Sequence, residues 1–474
     1  MMSQSNGIRI IRHRNARAVC GFQCGSFFYA YGPLYEEMEV EVPGEAKTKA
    51  ENNLKSSKSA TKEAWNYFVD QARRDPVVLK NTILRDDIQI DDGEEVIKGY
   101  YMSKIAEVVK EAKSVYDGTN IDEMLESRFK YMMINHGCLF LLQMLVFLGL
   151  GVSKLREHST LRAHQLDTLF GSDNNDIEGM KIGFTKSAVF PGNQIPLVVL
   201  NKLIDTTSFF KKIVSDENWE KPSSSSSLDL VLKSVLYDLF LGPVRNSTQP
   251  TVDILHGLHS RLVGTTARGG PRENIDPEAI PLIEIRGNNS NLNPQREKMS
   301  SATEMHDKGM DFKGVSGMAI TEINIKGNAF TNKVLHLPVF TFNEMTKYLY
   351  TCLKDYENHQ DPTEKVVNDY LGFLSDIVHS GQDVDLLQKK GVIHEVASNE
   401  VQKVVKYLSE VASDAPLNCT TDHLRTLKLA ITHHHLKPWY YKYLTLFTII
   451  LSILSLIFTI LQYFSERSKS GHNR

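Results

Sequence analysis

Few of the residue types that do chemistry stand at spacings that let them act together. Cys20 and Cys24 fit one helical turn apart, but no second pair follows to complete a tetrahedral zinc site; Cys138, Cys352 and Cys419 are scattered. Asp86, Asp87, Asp91, Asp92, Glu94 and Glu95 form an acidic cluster. Its spacing lacks the central Gly and closing Glu of a twelve-residue calcium loop, so it reads as a solvated turn. His256 and His259, three residues apart, can share a helix face, yet no Glu-bearing zinc motif accompanies them and they read as structural. His433, His434 and His435 are consecutive, point different ways on a helix, and read as an interfacial flank rather than a chelate. Gly314-Val315-Ser316-Gly317 misses the spacing of a nucleophile elbow. The sequence has no phosphate-binding Gly-Lys-Ser/Thr loop, no Gly-x-Gly-x-x-Gly after a strand and no His-Glu-x-x-His. The expectation is a chain that is not an enzyme and takes no metal and no cofactor.

The clearest chemical statement is apolar. Leu444 to Phe464 is a run of 21 residues without a charge, about 30 Å long as a helix, which matches a bilayer's hydrocarbon core. Leu444, Phe447, Ile450, Leu454, Ile457, Leu461 and Phe464 are the expected lipid-facing residues, and the lipid bilayer is the expected partner. Thr445, Thr448, Ser452, Ser455 and Thr459 recur at three- and four-residue spacing, which would suit a homo-oligomer packed through the membrane helix. No secretory signal is expected, because Ile8 to Arg17 is broken by Arg9, Arg12, His13, Arg14 and Arg17. Insertion is then expected after translation, with residues 1 to about 440 in the cytosol. The sequons at Asn246, Asn288 and Asn418 matter only if the large domain instead faces a lumen or the exterior. The shorter run Cys138 to Leu150 contains Gln143 and suits a buried core helix better than a span.

The elements that must position these residues follow from composition and periodicity. With 474 residues the chain has room for one large or two ordinary domains plus an anchor. A net charge of −3 with 23% charged residues leaves no concentrated basic stripe for nucleic acid, and five cysteines are too few for a disulfide framework. The expected fold class is mainly α with a small β element (α+β), a helical domain followed by one C-terminal transmembrane helix. Residues 1–60 read as an irregular arm and 61–263 as a helical region. Within it, helices are expected at Tyr101 to Tyr116, at Ile121 to Leu150 with a break near Gly137, at Asn193 to Val214 with Pro196 in the first turn, at Leu228 to Phe240 and at Thr251 to Leu262. Residues 264–294 read as a polar linker, and 295–440 as a second part with a short β-hairpin and helices. The hairpin turns at Lys326-Gly327-Asn328, and Pro338 marks its second strand as an edge. Helices follow at Thr341 to Tyr356, Glu364 to Val378 and Val401 to Ala412, then the anchor at 444–464 and a tail at 465–474.

Several segments, in order, resemble the plant family called domain of unknown function 247. They are Tyr131-Met132-Met133 with His136-Gly137-Cys138; Asn193-Gln194-Ile195-Pro196 with Val199, Leu200 and Leu203; Ser301-Ala302-Thr303-Glu304 with Gly309; Leu335-His336-Leu337-Pro338; Asp383-Val384-Asp385-Leu386-Leu387 with Gly391-Val392-Ile393; and the C-terminal anchor. The chain departs from the family pattern at Gly32-Pro33-Leu34-Tyr35-Glu36, at His136 and at Pro191-Gly192. The resemblance implies a plant single-pass membrane protein with a non-enzymatic recognition, signalling or scaffolding role. Some grass members are self-incompatibility determinants, which implies a protein partner such as a small secreted protein. The alternative is a membrane-tethered enzyme of unknown chemistry.

Overall fold

The computed structural model describes residues 45–75, 78, 93–116, 121, 124–145, 177–206, 251–264, 299–327, 333–359, 365–413, 421–433 and 439–470. The chain divides into two units that are interleaved in sequence: Met1–Thr266 with Asn343–Val367, and Ala267–Phe342 with Asn368–Arg474. It runs through the first unit as α1 (Glu45–Ala72), α2 (Gly93–Ala106), α3 (Val109–Ser114), α4 (Glu126–Leu145), α5 (Ile177–Val189), α6 (Leu197–Thr206) and α7 (Ile254–Val263). It enters the second as α8 (Ala302–Asp307), β1 (Met310–Val315), β2 (Asn324–Lys326), β3 (Lys333–Pro338) and β4 (Phe340–Thr341). It then returns to the first for α9 (Glu344–His359). The remaining elements are α10 (Val366–Ile377), α11 (Gly381–Lys389), β5 (Ile393–His394), α12 (Val401–Ser413), α13 (Asp422–His433) and α14 (Trp439–Ser470). The fold is mainly helical with small sheets, as the sequence indicates.

The first unit is built around α4. Every described residue from Met132 to Met144 is buried. A helix apolar on all sides belongs in a core, and α1, α2 and α6 pack around this one. Each large side chain so enclosed stabilises the fold by roughly 1.5–3 kcal/mol. Gly137 does not break α4 as expected. A Cβ there would lie 2.5 Å from Leu203 Cδ1, so its missing side chain lets α6 approach α4 closely. The apolar face of α6 (Leu197, Leu200, Leu203 and Ile204) is buried in full. That helix starts four residues later than expected, because Pro191–Asn193 forms a separate 3₁₀ turn and Pro196 stands just outside α6. The helix expected over Tyr101 to Tyr116 is two, since the chain tightens to three-residue turns at Glu107 and Val108. The N-terminal arm is also shorter than expected, for α1 already begins at Glu45. Trp65 on α1 donates through Nε1 to Glu94 at the start of α2 (3.1 Å) and meets Tyr101 edge-on at 6.0 Å.

The second unit carries a three-stranded sheet in the order β1-β3-β2, with β3 parallel to β1 and antiparallel to β2. The hairpin around Gly327 is the one expected, but its second strand is central rather than an edge. Pro338 is tolerated because it ends β3, opposite Val315 of β1, while the β2 ladder stops at His336 and asks for no N–H there. Phe312, Leu335 and Leu337 point to the buried face. A second small sheet pairs β4 with β5, continued by Phe340 N–H to Val392 O (2.8 Å) and Phe342 N–H to His394 O (3.0 Å). The helix expected over Val401 to Ala412 forms as α12, with Val404, Leu408 and Ala412 buried.

Gly314 of β1 lies where the 390–391 turn crosses the strand. Its N–H donates to Lys390 O at 3.1 Å, and an added Cβ would sit 1.6 Å from Gly391 O. Backbone cannot yield as a flexible side chain can, so Gly314→Ala should destabilise the protein by at least about 3 kcal/mol. Gly99, exposed within α2, has nothing within 4 Å of its virtual Cβ. Gly99→Ala should therefore stabilise by roughly 0.5–1 kcal/mol, and thermal unfolding of the full chain in nonionic detergent measures both changes.

Candidate functional site

The family-like motifs form two buried polar junctions, one in each unit. In the first unit the Asn-Gln-Ile-Pro segment does not cap the helix it precedes. Asn193 Nδ2 instead donates back to Ser187 O (2.9 Å). Gln194 Nε2 donates to Ala188 O (2.8 Å) and Phe190 O (2.7 Å) at the end of α5, and its Oε1 accepts from Leu255 N–H (3.2 Å) at the start of α7. One amide thus satisfies carbonyls left open by one helix end and an N–H left open by another. Tyr116 Oη donates to the Gln194 carbonyl (2.9 Å), which fixes the segment from a third side.

The titratable groups with the most chemical promise lie in the same unit. Asp253 caps α7 by accepting from His256 N–H (2.8 Å) and is fully enclosed; its Oδ2 has no hydrogen-bond partner. Burial outweighs its backbone bonds and pushes its carboxyl up to about 6. His256 Nδ1 accepts from Val252 N–H (3.1 Å), so its proton is on Nε2, and burial followed by His259 lowers it to about 4. His259 Nε2 lies 2.8 Å from Glu357 Oε1, which also accepts from Val367 N–H at 2.8 Å. Burial, then the charges of Asp253 and Glu357, raises the Tyr356 hydroxyl above its ordinary range. His256 and His259 therefore have separate partners, and the described residues contain no group of three metal-ligating side chains. An Asp whose carboxyl is raised to about 6 beside a neutral imidazole has the protonation states of an acid–base pair. Asp253 and His256 are 1% and 4% exposed, however, and their geometry is committed to the start of α7. His136 is buried in α4, and burial lowers its imidazole to about 3.

In the second unit, Ser301-Ala302-Thr303-Glu304 is a capping box. Ser301 Oγ accepts from Glu304 N–H and Glu304 Oε2 accepts from Ser301 N–H, each at 3.3 Å. Gly309, at φ 92°, turns the chain from α8 into β1. Asp383, the first aspartate of the other motif, joins the two segments. It accepts from Thr303 N–H (2.9 Å) and the Thr303 hydroxyl, and from His379 N–H (3.1 Å), Ser380 N–H (2.9 Å) and Ser380 Oγ (2.8 Å). Burial acts to raise this carboxyl, but the bonds from Thr303, Ser380 and Ser301 outweigh it and hold Asp383 below the usual range. The charge sits at the positive ends of both α8 and α11.

The remaining candidate is α14. It is one continuous 32-residue helix that contains the whole run Leu444 to Phe464. Phe447, Ile450, Leu454, Ile457 and Leu461 are 46–61% exposed, and the large apolar residues on every other side between Leu446 and Leu461 are 46–63% exposed. The flanking Leu444 and Phe464 lie in the same helix. Ser452 Oγ donates to Thr448 O (2.8 Å) and Thr459 Oγ1 to Ser455 O (2.9 Å), so these hydroxyl protons are satisfied within the helix. Among the described residues no helix is long and apolar enough to cross a membrane; the described side chains of α14 cover 446–462. Asn246, Asn288, Asn418, Cys20, Cys24, Asp86 to Asp92, Leu228 to Phe240 and His434-His435 lie outside the described residues.

Two substitutions separate these roles. Asp383→Ala frees five donors and should cost on the order of 3–5 kcal/mol, whereas Asp385→Ala, exposed in the same motif, should change stability by less than about 0.5 kcal/mol. The Asp253 carboxyl, raised from 3.8 to about 6, holds its proton more tightly folded than unfolded. Its stabilising contribution is complete below pH 3.8 and is lost as pH rises through 6. Relative to wild type, Asp253→Asn should therefore gain roughly 2 kcal/mol between pH 4 and pH 7. A difference that stays flat with pH in chemical unfolding would refute this assignment.

No curated protein and no solved structure matches the chain. The sequence profile described as "Plant protein of unknown function", domain of unknown function 247, matches residues 72–463. That span takes in both polar junctions, the interleaved units and most of α14, and the chain belongs to this plant family.

Proposed function

We propose that this protein is held in a membrane by α14 and acts there by non-enzymatic recognition or scaffolding of a protein partner. The observation that carries the reading is the even exposure of α14. Large apolar side chains all round a helix are stable in hydrocarbon or in a protein core, and here none of the described ones between Leu446 and Leu461 is buried by the chain itself. The sequence run of 21 residues has the length of a bilayer core, and the bonded Ser452 and Thr459 hydroxyls lower the cost of placing them in lipid. The non-enzymatic part is supported by how the polar junctions are used: Gln194, Glu357 and Asp383 direct their side chains at backbone groups that hold helices in place.

Membrane fractionation tests the reading. The full chain should stay with membranes in alkaline carbonate and be released by nonionic detergent. Ile453→Arg with Ile457→Arg should move it to the carbonate supernatant, since each central arginine costs about 3 kcal/mol in a membrane helix. Wild-type protein in that supernatant would sink the proposal. Cross-linking in intact cells should join the chain to a second protein, and a chain that stays uncrosslinked would remove the recognition role. Protease protection in sealed microsomes reports the side on which the large domain lies.

A further inference from the structure

The outward face of the three-stranded sheet has the opposite charge character to the chain as a whole. Residues alternate across a strand, so the face opposite Phe312 and Leu335 presents Asp311 and Lys313 from β1, Val334 and His336 from β3, and Asn324 and Lys326 from β2. The register sets Lys313, His336 and Asn324 in one row, with Asp311, Val334 and Lys326 in the next. Lys313 and Lys326 are exposed, and neither has a carboxylate partner among the described residues. The one carboxylate in these rows, Asp311, is taken by Lys390 at 2.6 Å, with His306 at 3.7 Å. Glu322 nearby accepts from Ala319 N–H. Burial, followed by the charges of Lys326 and Lys313, lowers the His336 imidazole, which places both lysines within electrostatic reach of it. A net-negative chain thus gathers on one small sheet face two lysines that no described carboxylate pairs with.

This face also lies close in the chain to α14. His423, near the start of α13, has its Nε2 2.8 Å from the carbonyl of Ile323, the residue that leads into β2. From there α13 runs to His433, and five residues separate it from Trp439 at the start of α14. The helix and the link together span no more than roughly 35 Å. By strand spacing and rise, the Lys313 and Lys326 Cα atoms stand about 12 Å apart. That separation is too wide for one small ion and suits an extended anionic surface.

We propose that this outward sheet face docks on the anionic phospholipid headgroups of the bilayer that holds α14. The proposal rests on the membrane reading of α14. Two tethers of different kinds then act on the second unit: the apolar helix fixes it to the membrane, and Lys313 with Lys326 orients the sheet against the headgroup layer.

The test uses the full chain in nonionic detergent, titrated with phosphatidylserine or phosphatidylcholine and read by native mass spectrometry. Wild-type protein should retain phosphatidylserine in preference to phosphatidylcholine. Lys313→Ser and Lys326→Ser should each weaken that preference roughly fivefold, and the double variant about 30-fold. Lys110→Ser, an exposed lysine of α3, serves as the control and should leave it unchanged. An equal preference in wild type and the double variant overturns the proposal, and so does displacement of the lipid by millimolar inorganic phosphate, which would reveal a small-ion site. Binding of a poly-glutamate peptide with no headgroup preference would assign the face to an acidic protein and would also overturn it. Carbonate extraction of the wild type keeps the two readings apart: retention in membranes with no phosphatidylserine preference defeats only this inference, whereas release from membranes defeats the membrane reading itself.

Discussion

Helix ends are the constraint on which this fold depends. Each α-helix leaves four N–H groups and four carbonyls unbonded, and at a buried end each open group costs about 1–3 kcal/mol unless a side chain meets it. Gln194 answers this demand for the end of α5 and the start of α7 at once, and Asp383 does so for the starts of α8 and α11. Gln194 acts on two helices other than the one it precedes, and Asp383 ties the start of its own helix to that of α8.

The same logic explains why the titratable clusters of the first unit hold structure. Asp253, His256, His259 and Glu357 would be a plausible catalytic set if they converged on open space. Instead each places an atom on a backbone N–H or on a neighbouring side chain, and three of the four are almost wholly enclosed. The perturbed Asp253 and His256 follow from enclosure, a general physical cause that operates in cores as well as in active sites.

Periodic elements were readable from the sequence, and long-range partners were not. The helices α12, α10 and α9 and the hairpin at Gly327 follow from side-chain spacing and a turn signal within one short segment. The placing of Pro338 could not, since whether it sits on an edge depends on β1, a strand whose Gly314 and mixed polarity gave no strand signal. Gly137 has the same difficulty: a glycine in a helical run signals a break locally, and only the approach of Leu203 from α6 gives it another purpose. The Asn-Gln-Ile-Pro motif could be recognised as a pattern, but the carbonyls that Gln194 meets come from residues 188 and 190 and its donor from residue 255. The sheet face bearing Lys313, His336 and Lys326 was likewise invisible, because its rows are assembled from three strands.

The interleaving of the units has a consequence for how the protein is made. The first unit includes α9, and Glu357 on α9 receives both His259 and Val367 N–H. A ribosome must therefore release Ala267–Phe342, a stretch belonging to the second unit, before the first can close. Until then the α5 and α7 surfaces wait without their last helix, which favours a slow, chaperone-exposed stage in synthesis. A fragment cut at the apparent boundary near residue 266 is not a domain but a bundle missing one of its own members.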